Sequence, residues 1–251
     1  MKSVTRMLLH RVPRVRRLIR DVLCILRGEP KITWESIGDN ELVAFVGRDD
    51  PVILDIGCND GSQTLWFLRL FGKARVYSFE PDPRARARYL KKVNDDRATL
   101  FDLAIADTDG TREFFVSSGR PETGKEATDR IVTDWDLSGS IRKPKKHLEK
   151  VPWCKFDRQI IVNTKTLDSW IREEGIGVID FIWADVQGAE GDLIAGGKAA
   201  LSKTRYFYTE YSNTELYEGQ LNLRQLLILL PDFRLVRRYE NDVLLKNVRI
   251  E

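Results

Sequence analysis

Val52-Ile53-Leu54-Asp55-Ile56-Gly57-Cys58-Asn59-Asp60-Gly61 decides the fold. An apolar run ending in an acid and a glycine-bearing turn reads as a buried strand feeding a helix, with backbone left bare for a ligand. Nineteen residues after Gly61, a second apolar run, Val76-Tyr77-Ser78-Phe79, ends in Glu80-Pro81. That spacing places Glu80 as the ribose-binding carboxylate of a nucleotide-type site. Its plainer alternative is a cap on the helix that starts near Pro83. The turn itself selects the ligand. A dinucleotide site needs G-x-G-x-x-G against a pyrophosphate, whereas this chain has D-x-G-x-N-x-G. Asp55 would repel a pyrophosphate and suits the cationic end of S-adenosylmethionine.

The 251 residues fit one large α/β domain with additions. A formal charge of +3 conceals an asymmetry: residues 1 to 30 hold eight Lys or Arg and two acids, leaving 33 bases and 36 acids in the remainder. The body has no basic surplus, so no nucleic-acid partner is expected. Three scattered cysteines suggest a reducing, cytoplasmic setting, and no apolar stretch is long enough to span a membrane. In the leader (1–30), Val15, Leu18, Ile19, Val22, Leu23 and Leu26 recur at helical spacing after Pro13, with arginines on the other face. Such a helix packs on the catalytic body, contacts a partner protein, or lies peripherally on the inner face of a membrane.

From residue 51 onward, apolar runs alternate with amphipathic segments, which predicts parallel strands joined by crossover helices. Strands are expected near 51–56, 75–80, 98–105, 178–184 and 205–211. Helices are expected at 62–71, 83–93, 167–174, after Gly188 and at 222–230. Phe233–Tyr239 and Val243–Lys246, separated by Glu240-Asn241-Asp242, predict an antiparallel hairpin at the sheet edge. Residues 117–160 show no clear periodicity and are rich in glycine, proline and lysine. They read as an insertion that captures the acceptor, or as a solvated loop.

The ordered set D-I-G-C-N-D-G (55–61), F-E-P (79–81), T-L-D (166–168) and I-D-F-I-W-A-D-V-Q-G-A-E (179–190) resembles the FkbM family of S-adenosylmethionine-dependent methyltransferases. The resemblance runs over about residues 50 to 247, so residues 31–251 are expected to form the methyltransferase domain. It implies a Rossmann-like class I fold, a mostly parallel seven-stranded sheet with a C-terminal antiparallel hairpin, and O-methylation of sugar hydroxyls in glycans, glycolipids or natural products. The family often carries D-V-E-G-A-E where this chain has Gln187, which hydrogen-bonds but cannot take a proton. It often carries alanine where this chain has Cys58.

In the donor site, Asp55, Gly57, Asn59, Gly61 and Glu80 are the expected binding residues, the glycines letting backbone approach the ligand. Asp102 and Ala104 join them, because the third strand of such sheets ends at the adenine; Asp102 equally suits a turn beside Asp107-Thr108-Asp109-Gly110. Methyl transfer from a sulfonium leaves a neutral thioether, so alignment carries most of the catalysis. An alcohol acceptor also benefits from a base. The two histidines, His10 and His147, fall outside the sheet, so a carboxylate is expected: Asp185 first, then Glu190 and Glu210. Asp185 could instead position the methionyl amino group, and Glu190 could be a helix-dipole acid. Asp185 with Glu190 or Glu210 could also hold a divalent ion. Trp135 and Trp153, inside the insertion, are the candidates for stacking on a sugar. A non-sugar small molecule or RNA as acceptor, and a non-catalytic scaffold that binds the donor, are the competing readings.

Overall fold

The computed structural model describes Val22, Ile32, Thr33 and residues 36–121 and 134–250. Apart from Val22, the expected leader helix therefore lies outside the described residues. Its eight-stranded main sheet contains, in chain order, β1 (Ile32–Thr33), β2 (Val52–Ile56), β3 (Arg75–Phe79), β4 (Ala98–Phe101), β8 (Ile179–Ala184), β9 (Thr204–Glu210), β10 (Phe233–Tyr239) and β11 (Asp242–Asn247). They lie side by side as β1-β10-β11-β9-β8-β2-β3-β4. Seven of these strands form the expected sheet, parallel from β4 to β9 and antiparallel at β11 and β10. The eighth, β1, adds a two-residue parallel edge on β10, so the hairpin is next to the edge and does not form it.

Apolar alternation sorts the two faces. Along β2, Ile53 packs into one buried cluster with Phe67, Val76 and Phe181, while Leu54 and Ile56 enter the other with Phe79, Trp170 and Ile182. The first face is covered by α1 (Asp39–Val46) and α2 (Ser62–Leu70), which supply Leu42 and Phe67. The second is covered by α5 (Leu167–Glu173), α6 (Glu190–Gly196), α7 (Lys198–Ser202) and α8 (Leu223–Leu229), through Trp170, Leu193, Leu201 and Leu226. Both faces being buried explains why the central strands read as nearly continuous apolar runs. Trp183 stacks on Tyr208 with centroids 4.2 Å apart and meets Trp66 edge-on, so these tryptophans belong to the core.

Helix α3 (Pro83–Lys92) follows β3, with Asp82 as its N-cap accepting from the Arg84 N–H and proline in its first turn. The cap is thus Asp82; Glu80 contributes only by accepting from the Asp82 N–H at 2.8 Å.

Two expectations change in the middle of the chain. The strand expected at 98–105 is two: β4 ends at Phe101, and β5 (Ala104–Ile105) joins a separate three-stranded sheet with β6 (Gly110–Gly119) and β7 (Cys154–Lys165), ordered β5-β7-β6. The described parts of the segment 117–160 are also more regular than their composition suggests. The ends of the segment belong to β6 and β7, which pair antiparallel, and between them lies α4 (His147–Lys150). Residues 134–153 fold back onto the body. Arg142 forms a bidentate pair with buried Asp192 of α6, and the Lys145 N–H donates to the Leu216 carbonyl at 2.7 Å. Among the described residues, no helix is long and apolar enough to cross a membrane.

Candidate active site

The C-terminal ends of β2, β3 and β8 open into a cavity of about 610 Å³, including its mouth, walled on the far side by residues 136–141 of the insertion. This is where open α/β sheets place their ligands. Its floor requires glycine. Gly57 has φ +84°, and a Cβ there would overlap the Asp185 carbonyl oxygen, because β2 and β8 stay bonded to their tips through Asp185 N–H and Ile56 O at 2.9 Å. Gly61 has a different role from the one expected. It caps α2 at φ +80°, and its missing side chain makes room for Val93 and Tyr89, 2.5 and 2.7 Å from where a Cβ would lie. Gly61 packs helix α3 and does not line the cavity.

Glu80 lines the cavity and is almost fully buried. Its Oε2 accepts from the Asn59 N–H at 2.9 Å and its Oε1 from the Asp82 N–H at 2.8 Å, so both oxygens are fixed and each keeps a lone pair for a ligand hydroxyl. Burial pushes its pKa up to about 8, the two N–H bonds opposing the shift and the neighbouring Asp82 and Asp136 charges adding to it. Asn59 is held in the left-handed region at φ 45°. Its amide donates to the Asp136 carbonyl at 3.2 Å and its Oδ1 accepts from Arg88 at 3.3 Å.

Asp55 does not line the cavity. It shares the face of β2 that carries Ile53, on the side of α2, where Thr64 donates to its Oδ2 at 2.6 Å. Its Oδ1 is buried without a hydrogen-bond partner, and burial pushes its pKa up to about 7. Asp102 is also displaced from its expected place. It is half exposed and pairs with Arg86 at 2.5 Å, because the chain leaves the main sheet after Phe101; Leu103, Ala104 and Ile105 face the cavity instead.

Asp185, at the tip of β8, lines the cavity, and Glu190 opens α6 one turn later. Glu190 Oε1 accepts from the Gly188 N–H at 3.2 Å, and its Oε2 is buried without a partner. Glu210, at the tip of β9, shares the Gln187 amide with Asp185 and stands opposite Asp242 of β11. Burial raises the proton affinity of all four acids, Glu190 to about 7 and Asp242 to about 6, and each is raised further by a neighbouring carboxylate, except Asp185, where the Gln187 bond pulls back. Among the described residues, no Lys or Arg pairs with Asp185, Glu190 or Glu210. A buried acidic cluster with orphaned oxygens favours a cationic ligand beside it. Apolar Ile56, Phe79, Leu103, Ile105 and Phe114 separate it from Glu80 across the cavity. Acids at the ends and apolar surface between them fit an adenosine with a positively charged tail. No group of three His, Cys, Asp or Glu among the described residues is arranged to hold a metal ion.

The cavity also contains residues that the sequence reading did not single out. Asp136 of the insertion lines it and is paired with Arg88 of α3, which also donates to Asn59, so the insertion is tied to the turn after β2. Only its position inside an aperiodic segment marked it in the sequence. Trp135 and Trp153 meet edge-on at 4.9 Å, but neither lines the cavity. His147 is buried against Tyr217 and Phe156, away from the acids, and burial lowers its pKa.

Residues 55–243 match the methyltransferase FkbM domain. The chain is 51% identical over 215 residues to the 2-O-methyltransferase NoeI of Sinorhizobium fredii, covering 84% of this chain and 85% of that protein. It is 26% identical over 201 residues to the AMB antimetabolite synthetase AmbE of Pseudomonas aeruginosa, of which it spans 10%. A methyltransferase FkbM structure from Methylobacillus flagellatus superposes with a TM-score of 0.47 at 14% identity, over 79% of this chain and 44% of that one. The chain belongs to the FkbM family of S-adenosylmethionine-dependent methyltransferases.

Proposed function

We infer that the chain is an S-adenosylmethionine-dependent O-methyltransferase acting on a sugar hydroxyl of a glycan, glycolipid or glycosylated natural product. The observation that carries this reading is the near full-length, 51% identity to a 2-O-methyltransferase. The cavity chemistry supports it.

The donor, when bound, supplies an electrophilic methyl group on a sulfonium. Glu80 would accept the ribose hydroxyls through the lone pairs its two backbone bonds leave free. Leu103 to Ile105 would offer apolar surface and backbone to the adenine. Gly57 would keep the floor low, and the acids around Asp185 would favour the cationic end. Asp185 would be the base, its carboxylate taking the proton of the acceptor hydroxyl, to which the bound donor would supply its methyl group. Asp185 in turn raises the proton affinity of Glu190 and Glu210 behind it. Asp136, Leu137 and Gly139 to Ile141, which line the cavity, would form the acceptor-side wall.

Incubation of the full chain with ¹³C-methyl-labelled donor and a panel of p-nitrophenyl glycosides, oligosaccharides and RNA tests the reading. A labelled methyl ether at a sugar oxygen is expected. Label in RNA alone, or tight donor binding with label nowhere, would replace it by the nucleic-acid or scaffold reading.

A further inference from the structure

We propose that Gln187 is a positioning residue for this reaction: its side-chain amide donates to Asp185 and fixes that carboxylate with one oxygen free for the acceptor. The inference rests on Asp185 being the base.

Three observations converge on Gln187. The first is its backbone. Gln187 sits at φ 50° and is followed by Gly188 at φ 92°, two consecutive left-handed residues between β8 and α6. Left-handed backbone is unfavourable for a residue with a side chain and persists only where the surroundings impose it. Here they do: Ser140 of the insertion donates to the Gln187 carbonyl at 2.8 Å, and Tyr217 packs where a Cβ at Gly188 would lie. The turn aims the side chain back over the tip of β8.

The second is the polarity of the amide. Nε2 lies 2.5 Å from Asp185 Oδ1 and 3.4 Å from Glu210 Oε2, while Oε1 lies 3.2 Å from the Tyr217 hydroxyl. The opposite amide orientation would set an oxygen against two carboxylates. The two carboxylates thus fix which end of the amide meets them.

The third is that nothing else does this work. Among the described residues, the Gln187 amide is the hydrogen-bond donor recorded for Asp185 and for Glu210, and no cation pairs with either. Asp185 Oδ1 is tied, and Oδ2 carries no protein hydrogen bond while its residue lines the cavity. A glutamate at 187, as the family often has, would be close in size but accept only. It would retain the Tyr217 contact and repel Asp185. In this chain the amide converts two like-charged neighbours into partners of one donor.

The test compares Gln187→Glu and Gln187→Ala with Asp185→Asn in the full chain. Methyl transfer to whichever glycoside the wild type labels is followed together with calorimetric affinity for S-adenosylhomocysteine and crystal structures of the Gln187 variants. Loss of one charge-assisted hydrogen bond corresponds to about 10- to 100-fold in rate. Both Gln187 variants are expected to lose about that much kcat, with KM and S-adenosylhomocysteine affinity within about threefold. Acetamide, a small amide donor, is expected to restore part of the Gln187→Ala rate, and acetate is not. The Asp185 carboxylate is expected to rotate in both crystal structures. An unmoved Asp185 in both variants, or a Gln187→Glu enzyme with wild-type kcat, overturns the proposal. Full activity of Asp185→Asn overturns the base assignment instead, and the two failures are separated by that variant.

Discussion

Replacing Glu80 by glutamine removes one acceptor at the point where the structure uses two. Glu80 Oε2 and Oε1 receive the Asn59 and Asp82 N–H groups at 2.9 and 2.8 Å, so an amide leaves one of those donors facing an N–H₂. An unsatisfied buried donor costs about 1–3 kcal/mol. Removing a buried charge offsets part of that loss, because burial already pushes Glu80 up to about 8. The net stability change is therefore expected to be small, about 1 kcal/mol. Donor binding loses more, since each charge-assisted bond to a ribose hydroxyl contributes about 1.5–3 kcal/mol, or roughly 10- to 150-fold in Kd. The sign of the pH dependence sharpens the expectation. Glutamine imitates the protonated carboxyl, so the gap between wild type and variant should widen as pH rises through about 8. Calorimetry with S-adenosylhomocysteine between pH 6 and 9, with thermal unfolding as the folding control, measures both. A variant that binds within threefold of wild type at pH 9 would refute the ribose assignment.

Gly57→Ala should destabilise the chain by about 3 kcal/mol or more, through left-handed strain and overlap with the Asp185 carbonyl, and should abolish transfer in any fraction that folds; denaturant unfolding and activity report the two effects. Asp102→Asn breaks a half-exposed pair with Arg86 and should change stability by about 0–1 kcal/mol while leaving S-adenosylhomocysteine affinity within twofold; a tenfold loss would return Asp102 to the donor site. Without donor, stability should fall as pH rises from about 5 to 8. Asp55 and Glu190, raised to about 7, and Glu80, raised to about 8, bind more protons folded than unfolded in that window, so their contribution is complete at low pH and lost as pH passes the folded values. Melting temperatures that climb across this range would contradict the buried acidic cluster.

The cavity-lining positions of Gly57, Asn59 and Glu80 were readable because these residues stand at the ends of apolar runs. Val52–Ile56 and Arg75–Phe79 form parallel neighbours in register, and Glu80 follows directly from that pairing. Face was harder than position. Asp55 is at the correct strand tip, yet its side chain follows Ile53 to the α2 side, and alternation along β2 contains that information. Asp102 failed for a different reason: the chain changes sheets between Phe101 and Ala104 with no glycine or proline to mark it. The long β6–β7 ladder pairs segments separated by the whole insertion, so no local turn residue announces it, although Phe114 and Val116 alternate and pack against Val162. β1 is two residues whose partner lies near the other end of the chain, a pairing without a local signature. Gln187 was visible as a departure from the family pattern, whereas its bonds to Asp185, Glu210 and Tyr217 required the strand tips to be placed in space.

The most direct measurement of the account is the pair of constants for Asp185→Asn: kcat for methyl transfer to a glycoside and Kd for S-adenosylhomocysteine. A base at the tip of β8 predicts kcat lower by about 100-fold or more with Kd within threefold. An unchanged kcat, or a Kd weakened in step with it, would contradict that role and move Asp185 to the donor's amino group.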